Sequence, residues 1–196
     1  NPVGGGTTWR GLVKGESGTD LTAGAGDTLL VNAGQTGYYT VLYDDATFMQ
    51  LVARFATLPA ADQLGLIQNA RQLGYSGDMP LSRLMQIAQH VSPSANPRVL
   101  TALAERLEAL ATLYRGVDGE SVFRAFATGV LRPIKAKTGW TPRRGEDANT
   151  PLLRAALLKA MSELNDETTI QEARQRFAKL AKRPRSEEHT SELQSP

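Results

Sequence analysis

The stretch Asn96–Tyr114, NPRVLTALAERLEALATLY, decides the fold. Val99, Leu100, Leu103, Leu107, Leu110 and Tyr114 recur at steps of three and four, which gathers them on one face of an α-helix and leaves the charged residues on the other. Asn96 followed by Pro97 is a start signal: an amide side chain to cap the first free N–H groups, then a proline where a missing N–H costs nothing.

The same period extends in both directions. Upstream, Phe48, Leu51, Val52, Phe55 and Leu58 form one stripe. A second helix opens between Pro59 and Asp62, carries Leu64, Ile67, Ala70 and Leu73, and is expected to close at Gly74. A third starts near Pro80 with Leu81, Leu84, Met85 and Ala88 inward. Downstream, a fifth helix holds Val122, Phe123, Phe126 and Val130 and is expected to bend or stop near Pro133. Thr150-Pro151 repeats the start signal for Leu153, Ala156, Leu157, Ala160, Met161 and Leu164. Thr169 with Glu172 reads as a capping box for a last helix that buries Ile170, Ala173, Phe177 and Leu180. Consecutive amphipathic helices with short connections stack as antiparallel pairs. No fixed sequence period is present, so the expectation is a mainly α chain, an irregular helical solenoid or bundle. A solenoid cut after the last helix leaves an apolar face that a further helix would cover.

Residues 1–44 have a different texture, rich in glycine and threonine. Thr28–Val31 and Tyr38–Tyr43 read as strands, and Asn32–Gly37 supplies the turn residues of a β-hairpin between them. Trp9–Val13 is a third strand candidate, and Gly4-Gly5-Gly6 a turn. Three strands are too few for a sandwich of about seven, so residues 1–44 read as the last few strands of a β-domain, with residues 45–184 as the helical domain. The tail Arg185–Pro196, RSEEHTSELQSP, resembles one translated frame of a sequencing adapter and is set aside as non-native or disordered.

Composition narrows the function. The chain carries a net +2, and without Arg185, Glu187, Glu188 and Glu192 the body is more positive by two charges. This mild, unclustered excess gives no reason to expect nucleic acid as a partner. The absence of cysteine excludes disulfides and thiolate chemistry, and no apolar run is long enough to span a bilayer. Histidine occurs at His90 and, in the tail, at His189. One histidine cannot supply the two imidazoles of an HExxH site, and His90 in QIAQHVSPS reads as a helix-end residue favoured by the dipole. Asp44-Asp45 reads as a helix entry, not as a pair of catalytic acids. No catalytic, cofactor-binding or metal-ligating residue is therefore assigned in this chain.

Two stretches carry a resemblance. VNAGQTGYYTVLYDD, Val31–Asp45, and TGWTPRRGEDANTPLLRAALLKAMSELNDETTIQEARQRF, Thr138–Phe177, resemble the C-terminal half of zinc aminopeptidases related to the alanyl, puromycin-sensitive and endoplasmic-reticulum aminopeptidases. The matching signatures are Gly139-Trp140, Gly145-Glu146 and Leu153-Arg154, followed by Ala173, Arg174 and Phe177. Thr40 departs from the family's arginine in its GYYRV-type strand, and Asp62-Gln63 and Asn69 depart from an Asp-Arg and a later aspartate. Those changes are expected to remove ion pairs where sheet meets helices.

The resemblance implies the end of a β-sandwich followed by the first HEAT-like helical pairs of a C-terminal domain. It implies a parent that binds zinc upstream of Asn1, removes N-terminal residues from peptides, and uses the helical domain to close over the cleft and contact the peptide. The parent would be cytoplasmic, periplasmic or secreted. This chain would be non-catalytic, with its missing catalytic domain and peptide substrates as partners. Trp140, Glu146 and Arg154 read as structural, a ring between helices and an ion pair fixing a loop. Lys135, Lys137, Arg143 and Arg144 are the candidates for a basic surface facing a peptide carboxylate. The alternative is a stand-alone helical-repeat module that binds peptides or proteins without catalysis.

Overall fold

The structure, a computed structural model, describes residues 28–181. The strand expected at Trp9–Val13, the glycine turn and the tail Arg185–Pro196 lie outside the described residues. Seven α-helices follow one another: α1 (Asp45–Ala53), α2 (Ala60–Ser76), α3 (Ser82–Gln89), α4 (Pro97–Leu113), α5 (Glu120–Thr138), α6 (Thr150–Glu163) and α7 (Glu167–Ala181). Short 3-10 turns occupy Ala33–Gln35 and Phe55–Thr57.

The helices form two layers. α2, α4 and α6 lie side by side, while α3 packs against α2, α5 against α4 and α6, and α7 against α6. α4 sits at the centre, against α2, α5 and α6. Its start follows the sequence: the Asn96 side chain accepts from Arg98 N at 2.9 Å and Pro97 holds the first turn. Val99, Leu100, Leu103, Leu107 and Leu110 are all buried, and each such side chain stabilises the array by about 1.5–3 kcal/mol. The α1 stripe is equally complete, with Phe48, Leu51, Val52, Phe55 and Leu58 in the core.

Elsewhere the helices differ in detail from the expectation. α2 runs through Gly74 and ends at Gly77, whose φ of 84° is the left-handed conformation of a C-cap. Gly74 is needed instead for close packing, since a β-carbon there would lie 2.5 Å from Leu81 Cδ2. The buried face of α2 includes Leu66, with Leu64 only partly covered, and in α3 Ile87 takes the inward place expected of Met85. α5 neither stops nor breaks at Pro133. Leu131 and Ile134, on either side of it, are buried and hold that turn in the array. Val122, expected inward, is exposed, and Ala127 and Leu131 fill the face in its place.

The capping box at Thr169 is not formed. α7 begins two residues before it, and Asp166 is the cap: its carboxylate accepts from Thr169 N at 3.0 Å and from the Thr168 and Thr169 hydroxyls. Of the α7 stripe, Ile170 and Ala173 are partly covered and Phe177 and Leu180 are exposed, because no described helix packs on that side.

The β-hairpin is also absent. Among the described residues Leu29 alone has a bridge, and Tyr38–Tyr43 forms no ladder with Thr28–Val31. Side chains occupy the backbone groups a hairpin would use. Asn32, at φ 57°, accepts from Gly37 N at 2.8 Å and donates to Gly37 O at 2.9 Å. The Tyr43 hydroxyl accepts from Val31 N at 3.0 Å and donates to Val31 O at 3.3 Å. Burial pushes the Tyr43 phenol up to about 12, against the pull of the Val31 N–H. The loop is latched onto α2 by Gly34 N donating to the buried Asp62 carboxylate at 2.6 Å.

The loop-to-helix junction retains an ion pair despite the sequence departures. Buried Arg83 of α3 reaches Asp45 at the start of α1, donates to Tyr43 O at 3.0 Å and lies over the Phe48 ring. Gln63 is buried and donates to Phe55 O at 2.9 Å and Leu58 O at 3.1 Å, satisfying carbonyls at the end of the α1 segment. Asp44 and Asp45 are helix-entry residues, Asp44 capping Thr47 N at 2.9 Å. Hydrogen bonds from the Thr47 hydroxyl and N–H hold the Asp44 carboxyl below its ordinary value.

Candidate functional site

The basic candidates lie at the C-terminal end of α5 and in the loop that follows, but they do not converge on one ligand position. Lys135 is partly buried, bonded to the Thr169 hydroxyl, 3.8 Å from the Asp166 carboxylate and 5.6 Å from the centre of the Trp140 ring. Lys137, two residues on, points elsewhere and bonds the Ser94 hydroxyl in the α3–α4 loop. Arg143 folds back on the loop, its guanidinium closely approaching Gly139. Arg144 is exposed.

What the structure assembles here is a joint between α5, α6 and α7. Asp166 is the buried hub, pairing with Arg132 at 3.2 Å while capping α7. Burial pushes its carboxyl up, but hydrogen bonds from the Thr169 and Thr168 hydroxyls, Arg132 and the Thr169 N–H outweigh this and hold it at about 2. Trp140 is flanked by Lys135 and by Arg176 of α7, the latter 5.0 Å from the ring centre. Arg176 also pairs with Glu172 at 2.6 Å. Arg154 of α6 is buried and grips Glu146 with both terminal nitrogens, at 2.6 and 3.3 Å, while its Nε donates to Gly139 O at 3.1 Å. The structural reading of Trp140, Glu146 and Arg154 holds on this geometry.

Sequence reasoning missed Asp166, because Thr169-x-x-Glu172 matched the capping pattern better than Asp166 did. It also missed Arg83, whose partners are 38 and 40 residues away. His90 is the C-cap of α3, and its Nδ1–H donates to Gln86 O at 3.0 Å. Among the described residues no group of three or more histidine, aspartate or glutamate side chains is placed to hold a metal, and no helix is long and apolar enough to cross a membrane.

The described residues form an array of layered helices whose buried ion pairs join one helix to the next. The chain belongs to the ERAP1-like C-terminal domain family, whose model matches residues 28–195. It is 29% identical over 154 residues to aminopeptidase M1-A of Oryza sativa subsp. japonica, covering 75% of this chain and 17% of that protein. It is 26% identical over 164 residues to aminopeptidase M1 of Arabidopsis thaliana, covering 82% and 19%. Against endoplasmic reticulum aminopeptidase 2 of Homo sapiens it is 25% identical over 157 residues, covering 75% and 16%. The chain thus spans less than a fifth of the length of each of these relatives.

Proposed function

We propose that this chain is a non-catalytic helical part of a zinc aminopeptidase, acting beside a catalytic domain it does not contain. Family membership over residues 28–195, with relatives named aminopeptidases, is the observation that carries this reading. The residues present do not fit a zinc site. His90 is the sole histidine outside the tail and is engaged at a helix end, so a zinc ion of the parent would be held by residues outside this chain.

The role proposed for the helical array is to cover the catalytic cleft and contact the distal part of a peptide substrate. Of the basic candidates, exposed Arg144 and Lys137 are proposed to meet an anionic peptide end; Lys135 is already committed to Asp166 and Thr169. Residues 1–44 are proposed as the end of the preceding β-domain, and the array as the start of a HEAT-like succession. The compartment proposed for the parent is cytoplasmic, periplasmic or secreted.

The test has two arms. The purified chain, assayed on aminoacyl chromogenic substrates with and without zinc, is expected to give no turnover; zinc-dependent activity that survives repurification overturns the reading. Sequencing outward from the source locus is expected to find an upstream HExxH and a downstream glutamate in the same frame; a short open frame with neither favours a stand-alone binding module.

A further inference from the structure

The turn that joins α4 to α5 contains Gly116-Val117-Asp118-Gly119, all four exposed. Asp118-Gly119 is the only Asp-Gly or Asn-Gly pair in the sequence. That pair has its own chemistry. The side-chain carbonyl carbon of an aspartate can close a five-membered ring with the next residue's amide nitrogen, and glycine has no β-carbon to obstruct the approach.

Asp118 also differs from the other aspartates in what holds it. Asp44 accepts from Thr47 N, Asp62 from Gly34 N, Asp78 from the Ser76 hydroxyl, Asp147 from Asn149 N and Asp166 from Thr169 N, while Asp45 pairs with Arg83. Among the described residues Asp118 is the one aspartate whose side chain makes no hydrogen bond or ion pair. The attacking nitrogen is equally unengaged. The turn's backbone bonds run from Val117 N to Tyr114 O and from Glu120 N to Val117 O, and Gly119 N donates to no described group. A β-carbon placed on Gly119 would meet nothing within 4 Å, so the turn has room to rearrange.

We propose that Asp118 is a site of spontaneous isoaspartyl modification. The Gly119 nitrogen attacks Cγ of the protonated Asp118 side chain, the amide proton and the acid's hydroxyl leave as water, and a succinimide closes. Water then adds back. Opening at the main-chain carbonyl leaves Gly119 N bonded to Cγ and frees the former main-chain carbonyl as a carboxylate. The atoms balance with no other reactant. The product carries one extra methylene in the backbone immediately before Gly119, which caps α5 at φ 89° and accepts from Phe123 N at 2.9 Å. Phe123 stacks on Tyr114 across the same turn, with ring centres 4.8 Å apart. Conversion therefore loosens the join between α4 and α5.

The test incubates the full chain beside a free peptide of residues 115–123 at mildly acidic pH, then digests with a protease that cuts before aspartate but not before isoaspartate. Cleavage before Asp118 should be lost progressively with no change in mass, while cleavage before Asp45 and Asp78 persists. Opening an exposed turn costs little, so the folded chain should convert within about ten-fold of the peptide's rate. Asp118→Asn should convert faster than the parent chain at neutral pH, releasing ammonia in place of water, and Asp118→Ser should not convert. Because the Asp118 side chain has no partner, freshly purified variants should melt as the parent chain does. In the converted chain the amides of Glu120 and Phe123 should exchange faster. Retained cleavage at Asp118 while the peptide converts, equal loss at the other aspartates, or unchanged exchange in the converted chain would each overturn the proposal. None of these outcomes bears on the aminopeptidase reading.

Discussion

Arg154 holds Glu146 through two hydrogen bonds, at 2.6 and 3.3 Å, and the same guanidinium holds Gly139 O at 3.1 Å. One buried cation thereby ties the end of α5, the loop after it and α6 into a unit. Arg154→Ala should destabilise the domain by about 1–3 kcal/mol, since charged hydrogen bonds are lost and their acceptors left behind. Glu146→Gln should be destabilising in the same direction by stranding the cation. Hydrogen bonds from Arg154 hold the Glu146 carboxyl below its ordinary value, so its contribution is present near neutral pH and lost as pH falls through that lowered value. Urea unfolding followed by Trp140 fluorescence reads both variants. Midpoints unchanged from the parent chain would refute the joint.

Asp166 supplies a clearer dependence on pH. Its carboxyl is held at about 2, below an unfolded value near 4. Stability from this group is fully present above about pH 4 and falls away as pH drops towards 2. Asp166→Asn should flatten that acid limb. Asp166→Ala should cost about 1–2 kcal/mol through the cap alone, and hydrogen exchange should show α7 fraying before the other helices. Uniform exchange across α4 and α7 would count against Asp166 as the hub.

Pro133 lies inside α5, exposed, where its missing N–H leaves a carbonyl of the preceding turn unpaired. Pro133→Ala should stabilise the domain by about 2 kcal/mol, the helix gain being partly offset by a freer unfolded chain. Gly129→Ala should add about 1 kcal/mol, since its new β-carbon meets nothing within 4 Å. Thermal melts of the two single variants measure this; a lower midpoint in either would mean that the native residue is needed for packing.

The latch between Asp62 and Gly34 N predicts a local effect. Asp62→Ala should release the loop from α2 by removing the acceptor of the Gly34 N–H, at a cost of about 0.5–1.5 kcal/mol. Limited proteolysis should then cut near the exposed Tyr38 and Tyr39 at a higher rate, with the α4–α6 core still protected. Equal cutting rates in the two proteins would remove the latch.

The sequence by itself determined the helices and the layer they build. Asn96-Pro97 and the stripes on α1, α4 and α6 are local signals, set by the 3.6-residue period and by what a helix start requires, and they survive unchanged in the fold. The resemblance in residues 138–177 likewise marked the stretch where Trp140, Glu146 and Arg154 meet. Tertiary structure alone decided the rest. Asn32 and Tyr43 satisfied backbone groups that a hairpin would have paired, and a 12-residue separation in sequence gives no sign of that. Pro133 stays helical because burial on both sides outweighs one lost hydrogen bond. Asp166 caps α7 through Thr168 and Thr169, but its place as a buried hub comes from Arg132 and Lys135, more than thirty residues earlier. Such choices depend on which side chains from distant segments arrive together, and no local pattern encodes them.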